Sequence, residues 1–224
     1  MGTFDREILR GFLLAAAALA LSGPVSVADG TAGDEGVDLQ VGEPAPVFTS
    51  IDDEGNAWTL SDHVGEGYVV VFFYPADFGS CCKLQAQSYR DHMKALSDRG
   101  VQVVGVSGDR AANHRLFKEA WRLNFTLLAD EQARVAGKYG VPSRKGGRVR
   151  PHGPDRKPIT GPHGKPLTLH REATMARWTF VIGENGTIIY KTTGVAAPRA
   201  AEQVLEFIER LTQEEPPIDI AFAR

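Results

Sequence analysis

Two thiols stand side by side at Cys81 and Cys82, inside the stretch FYPADFGSCCKLQ, and they are the only cysteines of the chain. A thiol attacks well only as its thiolate, so the elements around the pair decide what it can do. Neighbouring cysteines make a poor disulfide staple. Consecutive Cα atoms lie about 3.8 Å apart, inside the roughly 4.4 Å at which disulfides begin. A Cys81–Cys82 bond is therefore strained and easily reduced. Disulfide exchange of the Cys-x-x-Cys kind lacks its second thiol at the right spacing. Attack of one thiolate on an O–O bond, leaving a sulfenic acid, needs only one cysteine and a group that polarises the peroxide.

The elements that must position such a thiol are legible around it. Tyr68 to Tyr74, YVVVFFY, is a continuous apolar run, the pattern of a strand buried on both faces, and Pro75 ends it. After the cysteines, Ala86, Tyr89, Met93 and Leu96 recur at helical spacing until Gly100. The thiols therefore fall at a helix N-terminus, where unpaired N–H groups and the positive end of the helix dipole favour an anion. Arg177, at the head of RWTFVI, is the candidate fixed cation.

The remaining pattern extends this unit in both directions. PVFTSIDDEGNAWTL reads as two short strands around Asp53-Glu54-Gly55-Asn56, VQVVGVS as a strand, and Leu116, Phe117, Ala120 and Trp121 as one face of a helix. FTLLAD is a short strand, EQARVAGKYG a short helix, and RWTFVIGENGTIIYK a hairpin around Glu184-Asn185-Gly186. A last helix carries Ala201, Val204, Leu205, Ile208 and Leu211 on one side. This order predicts an α/β domain over 42–212 with a thioredoxin-like fold, a mixed central sheet covered by helices on both faces.

Length and composition fit one soluble domain: 224 residues, 42% hydrophobic and 24% charged, with a net charge of −3. That charge predicts no general attraction to nucleic acid. Arg6 and Arg10 precede an apolar run from Gly11 to Leu21, and Ser26-Val27-Ala28 fits a signal-peptidase site. Residues 1–28 are thus expected to be a signal peptide and the mature protein to be exported, periplasmic or secreted. Residues 29–41 are expected to form a flexible lead-in and 213–224 an extended tail. Residues 141–171 interrupt the periodic pattern with eight Lys and Arg against Asp155 alone, and with His152, His163 and His170. The expectation there is a solvated basic loop. No cysteine or acidic cluster joins those histidines, so no metal or other cofactor is expected.

The motifs around Cys82 resemble those of the peroxiredoxins, and most closely the bacterioferritin comigratory protein subfamily. The resemblance runs from about Gly42 to Leu211 and is carried by GEPAPVFTSIDDEGNAWTLSD, VVVFFYPADFGSCCKLQAQSYRDHM, GVQVVGVSGD, LNFTLLAD and RWTFVIGENGTIIYK. In the family motif Pro-x-x-x-Thr-x-x-Cys the nucleophile lies seven residues after the proline, and from Pro75 that position is Cys82. The resemblance implies a thiol peroxidase acting on hydrogen peroxide or organic hydroperoxides, reduced by a thioredoxin-like or small-thiol partner, as a monomer or homodimer. It further implies that Pro75 shields the thiolate, Arg177 orients thiolate and peroxide, and Gln85 supports Arg177. Three positions depart from the pattern. Gly79 replaces the motif threonine, Gln87 stands where many members carry a resolving cysteine, and the basic segment replaces a short connection. Ser80 is the neighbouring hydroxyl, and Cys81 is a bystander or a transient disulfide partner. Gly79 also motivates the alternative of a redox sensor or binding module with little turnover. A copper-delivery role on the same fold would use Cys-x-x-x-Cys, which this chain lacks.

Overall fold

A computed structural model describes residues 37–214; the expected signal peptide 1–28, the lead-in as far as residue 36 and the tail from residue 215 lie outside the described residues. Strands β1 (Thr49–Asp52) and β2 (Ala57–Thr59) form the first hairpin, followed by β3 (Tyr68–Phe73), helix α1 (Ser80–Ser97) and β4 (Val101–Ser107). Helix α2 (Ala111–Trp121), β5 (Thr126–Ala129) and the short α3 (Arg134–Lys138) come next, then β6 (Ser143–Val149) and β7 (Leu169–Met175). The chain closes with β8 (Thr179–Ile182), β9 (Ile188–Thr192) and α4 (Ala200–Glu214).

Seven strands form one mixed sheet in the order β2-β1-β5-β4-β3-β8-β9. The β3–β4 and β4–β5 pairs are parallel, and β8 pairs antiparallel with β3 on its other edge. Side-chain alternation along β3 then divides the core. Val70 and Phe72 point to one face, where they meet Ala86, Tyr89 and Leu96 of α1, Phe117 of α2 and Val204 and Ile208 of α4. Val69, Val71 and Phe73 point to the other, against Val135 and Ala136 of α3 with Tyr139, Phe180 and Ile182. Helices therefore cover both faces, as the unbroken apolar run of β3 requires.

Two segments differ from the sequence-based expectation. Residues 37–41 were expected to be flexible, yet Lys191 reaches Asp38 at 2.7 Å, and the adjoining Gly42 N–H donates to Ile188 O at 2.8 Å. The basic segment was expected as a solvated loop, yet β6 and β7 pair antiparallel from Ser143↔Met175 to Val149↔Leu169. A Cβ at Gly146 would lie 2.0 Å from Arg171 O, so glycine is what lets the two strands close. Periodicity hid this ribbon because β6 is mostly Gly, Lys and Arg and β7 opens Leu-His-Arg-Glu, so neither shows a sustained apolar alternation.

The β4 strand shows how tightly the sheet is filled on the α1 side. A Cβ at Gly105 would meet the Phe72 ring at 2.6 Å and Leu127 at 2.9 Å. Overpacking of this kind costs about 1–3 kcal/mol. Gly105→Ala is therefore expected to lower the unfolding free energy by that amount, read as a lower urea midpoint at unchanged slope; an unchanged midpoint would show that Phe72 can move aside.

Candidate active site

Pro75 cannot donate to a ladder, so β3 stops there and the chain turns through residues 75–79 into α1. Phe78 takes a left-handed φ of 58°, a conformation costing a bulky residue on the order of 1 kcal/mol or more. Its burial against Phe117, with ring centroids 5.0 Å apart, offsets that cost. Gly79 is the N-cap residue, and no side chain caps the helix there. The first turn of α1 thus keeps unpaired N–H groups beside Cys82.

Cys82 and Cys81 differ sharply. Cys82 is 4% exposed and packed among the α1-side core, whereas Cys81 is exposed; both are free thiols. Register brings a cation to the buried one. The β3–β8 ladder pairs Phe72 with Thr179, and Phe73 N–H donates to Trp178 O, so Arg177 arrives beside the end of β3. Its Nη2 lies 3.3 Å from Cys82 Sγ while Nη1 donates to Gln85 Oε1. Gln85 is fully buried one turn along from Cys82, and its Nε2 has no partner among the described residues. The planar fork of arginine suits this two-point contact in a way a lysine ammonium does not.

The other expected positions fall around this centre. Pro75 is half-buried and lines a 350 Å³ cleft with Arg144, Thr174 and Met175. Gly79 faces the sulfur: a Cβ there would stand 3.1 Å from Cys82 Sγ. Ser80 is exposed, and no hydrogen bond joins it to Cys82 among the described residues. Gln87 is half-buried. Among the described residues no group of three or more His, Cys, Asp or Glu is placed to hold a metal ion.

Sequence reading missed a buried polar network beneath the turn. Tyr74 OH donates to Asp77 Oδ1 at 2.8 Å, and His114 Nδ1 meets Asp77 Oδ2 at 2.9 Å. Asp77 N–H donates to Asp109 Oδ2 at 2.9 Å, and Ser107 Oγ donates to the same oxygen at 3.1 Å. Tyr74, Asp77, Asp109 and His114 are each at most 1% exposed. Burial opposes a charged His114, but the charge and hydrogen bond of Asp77, with Asp109 behind them, raise its pKa. Burial, and then the charge of Asp77, push Asp109 up to about 6. The one available signal was His114, three residues before Phe117 on the apolar face of the α2 pattern; Asp77 and Asp109 stand in turn sequence that carries no such signal.

Comparison with known proteins shows the family. A model of the AhpC/TSA family matches residues 41–191. The chloroplastic peroxiredoxin Q of Oryza sativa subsp. japonica is 45% identical over 102 residues, which are 46% of this chain and 46% of that protein. The chain thus spans about half the length of the curated relatives it matches. The peroxidoxin BcpB of Mycobacterium tuberculosis superposes with a TM-score of 0.61 at 26% identity, covering 77% of this chain and 98% of that one. PrxQ of Xylella fastidiosa, at 19% identity and a TM-score of 0.61, shares the fold over 79% of this chain and 99% of that one.

The raised Asp109 gives the network a pH dependence with a definite sign. The native state holds a proton that the unfolded chain releases near pH 4 (roughly). The stabilisation from Asp109 is therefore complete below about pH 4 and is lost as pH rises through about 6. Asp109→Asn keeps an acceptor for Asp77 N–H and removes the titration. Its stability relative to wild type is expected to improve from about pH 4 to about pH 7 in urea unfolding; a difference that does not change with pH would contradict the assignment.

Proposed function

The chain belongs to the AhpC/TSA family, and from that premise we propose that it is a thiol peroxidase whose nucleophile is Cys82. The carrying observation is the Arg177 fork, with Nη2 3.3 Å from a sulfur that sits at the uncapped N-terminus of α1. Positive charge from both sides can hold the negative charge that develops on a peroxide oxygen beside the sulfur as the O–O bond breaks. The thiolate attacks the terminal oxygen of ROOH, a S–O bond forms, and the O–O bond breaks. Sulfur loses two electrons to give the sulfenic acid, and RO⁻ leaves and takes a proton from water. An external thiol then displaces water to form a mixed disulfide, and a second thiol releases Cys82 while the two reductant sulfurs pair.

Pro75 shields the sulfur in this reading, Gln85 fixes the fork of Arg177, and exposed Cys81 has no part in the first step. The basic residues Arg6 and Arg10 ahead of the apolar run from Gly11 to Leu21 support an exported location for the mature protein. Thioredoxin-like or small-thiol reductants suit the one-cysteine cycle.

The test is stopped-flow consumption of hydrogen peroxide by the reduced protein. Arg177→Met is expected to lower the second-order rate by about a hundredfold or more, the loss typical of a preorganised donor. Gly79→Thr is expected to raise it by about tenfold, because a hydroxyl is then supplied beside the sulfur. An Arg177→Met protein that reacts as fast as wild type would remove the basis of the proposal.

A further inference from the structure

The two faces of the β6–β7 ribbon differ in charge. Its register sets Val149 opposite Leu169, Arg148 opposite His170 and Arg144 opposite Thr174. Side chains alternate along each strand, so Val149 and Leu169 share one face, and that face packs against the core cluster containing Cys82. Arg144, Arg148 and His170 share the other, and all three are exposed. The charge there is not cancelled. Elsewhere Arg99, Arg110, Lys118 and Lys191 sit in ion pairs of 2.7–3.1 Å. Among the described residues no ion pair involves Arg144 or Arg148. Glu172, the acid on their face, is taken by Arg110 at 2.9 Å.

This basic face begins beside the reaction centre. Arg144 lines the 350 Å³ cleft with Pro75 and with Ala176, the neighbour of Arg177. From there the face runs along β6 to Arg148, roughly 13 Å away at about 3.3 Å per residue. Residues 141–171 hold eight Lys and Arg against Asp155 in a chain of net charge −3, so the remainder of the chain is acidic and the positive field is local. A peroxide is small and uncharged and needs no such face. The reductant is different, because every turnover brings a fresh thiol to Cys82 and releases it. Redox encounters of that kind bury less than about 1,200 Å². Complementary charge supplies the rapid, oriented approach that so small a contact cannot.

We infer that the outer face of the ribbon is the docking surface for a protein dithiol reductant with an acidic surface around its thiols. Arg148 and Arg144 meet its carboxylates and aim the attacking thiol at the cleft of Pro75. The partner's thiolate attacks Cys82 Sγ, the S–O bond of the sulfenic acid breaks, and the departing hydroxide takes up a proton to leave as water. The partner's second thiol then attacks the partner's own bridged sulfur, the mixed disulfide breaks, and Cys82 returns as the thiolate. The partner has lost the two electrons. The inference rests on the thiol peroxidase reading and adds to it the surface that receives the reductant, on a ribbon that stands in place of a short connection.

The test measures the two half-reactions apart, at about 0.1 M ionic strength, where the screening length is about 10 Å. Protein oxidised to the sulfenic acid is mixed with a reduced thioredoxin of net negative charge, or with dithiothreitol, which is uncharged and needs no docking. Arg148→Glu is compared with Lys145→Glu, the same change of charge at an exposed position on the other face of the ribbon. In wild type the thioredoxin rate is expected to fall about tenfold between about 0.05 and about 0.5 M salt, and the dithiothreitol rate to stay level. Arg148→Glu is expected to lower the ratio of thioredoxin to dithiothreitol rates about fivefold, and Lys145→Glu to leave it within about twofold of wild type. A wild-type thioredoxin rate that ignores salt, or equal losses in both variants, overturns the docking surface. The salt series on wild type decides the matter if Arg148→Glu does not fold. Sedimentation of wild type but not Arg148→Glu with phosphatidylglycerol vesicles, beside a thioredoxin rate that neither salt nor Arg148→Glu moves, would assign the face to a membrane and overturn the inference. Oxidation of Cys82 by hydrogen peroxide, followed without reductant, reports separately on the peroxidase reading. If it is absent, Cys81→Ser protein carrying Cys82 as its thionitrobenzoate mixed disulfide is reduced by the same thioredoxin: a slower release once Arg148→Glu is added supports the surface, and an equal one overturns it.

Discussion

Arg177 can serve Cys82 only because β8 lies antiparallel to β3 in the register that pairs Phe72 with Thr179. Side chains alternate along a strand, so a slip of one residue would turn the guanidinium to the opposite face of the sheet. The register is held by Val181, which belongs to the α1-side core, and by Phe180 and Ile182, which belong to the other. Any slip would exchange those sets. The same packing that makes the sheet stable therefore fixes the Arg177 guanidinium at the sulfur. Helix α1 meets this point from the other side, because Pro75 ends β3 and Gly79 starts the helix one short turn later.

The turn between them carries a local cost and a local compensation. Phe78 is in left-handed backbone, and the helix it precedes has no side-chain cap. Against this, the backbone of Asp77 is tied to Asp109, and its carboxylate to Tyr74 and His114, all within the interior. Removing one partner of such a buried pair typically costs 3–5 kcal/mol, because the other charge is left without compensation. The network thus restrains the strained turn without occupying the space above the sulfur. Gly79 is the exception, leaving that space open where a side chain would touch Cys82.

Much of this was legible in the sequence, for identifiable reasons. YVVVFFY is long, apolar and bounded by Pro75, so β3 and its burial on both faces followed from composition alone. The spacing of Ala86, Tyr89, Met93 and Leu96 placed the thiols at a helix start, and the resemblance to the peroxiredoxin motif, counted from Pro75, singled out Cys82. What periodicity could not show were contacts between distant residues in polar sequence. The β6–β7 ribbon pairs Ser143 with Met175 across a long insertion, and neither strand alternates in hydropathy. The Asp77–His114–Asp109 network is likewise assembled from three separate segments, and only the sheet brings them together. The exposure difference between Cys81 and Cys82 was available in principle, since the helical face set by Ala86 and Tyr89 includes Cys82 but not its neighbour.

That difference is the centre of the account: two adjacent thiols, of which only the buried one faces a guanidinium. Trapping of sulfenic acid in a single turnover with peroxide, run in parallel on Cys81→Ser and Cys82→Ser, measures it most directly. The account predicts rapid trapping in Cys81→Ser and none in Cys82→Ser. Rapid trapping in Cys82→Ser, or reaction in neither variant faster than free cysteine, would contradict it.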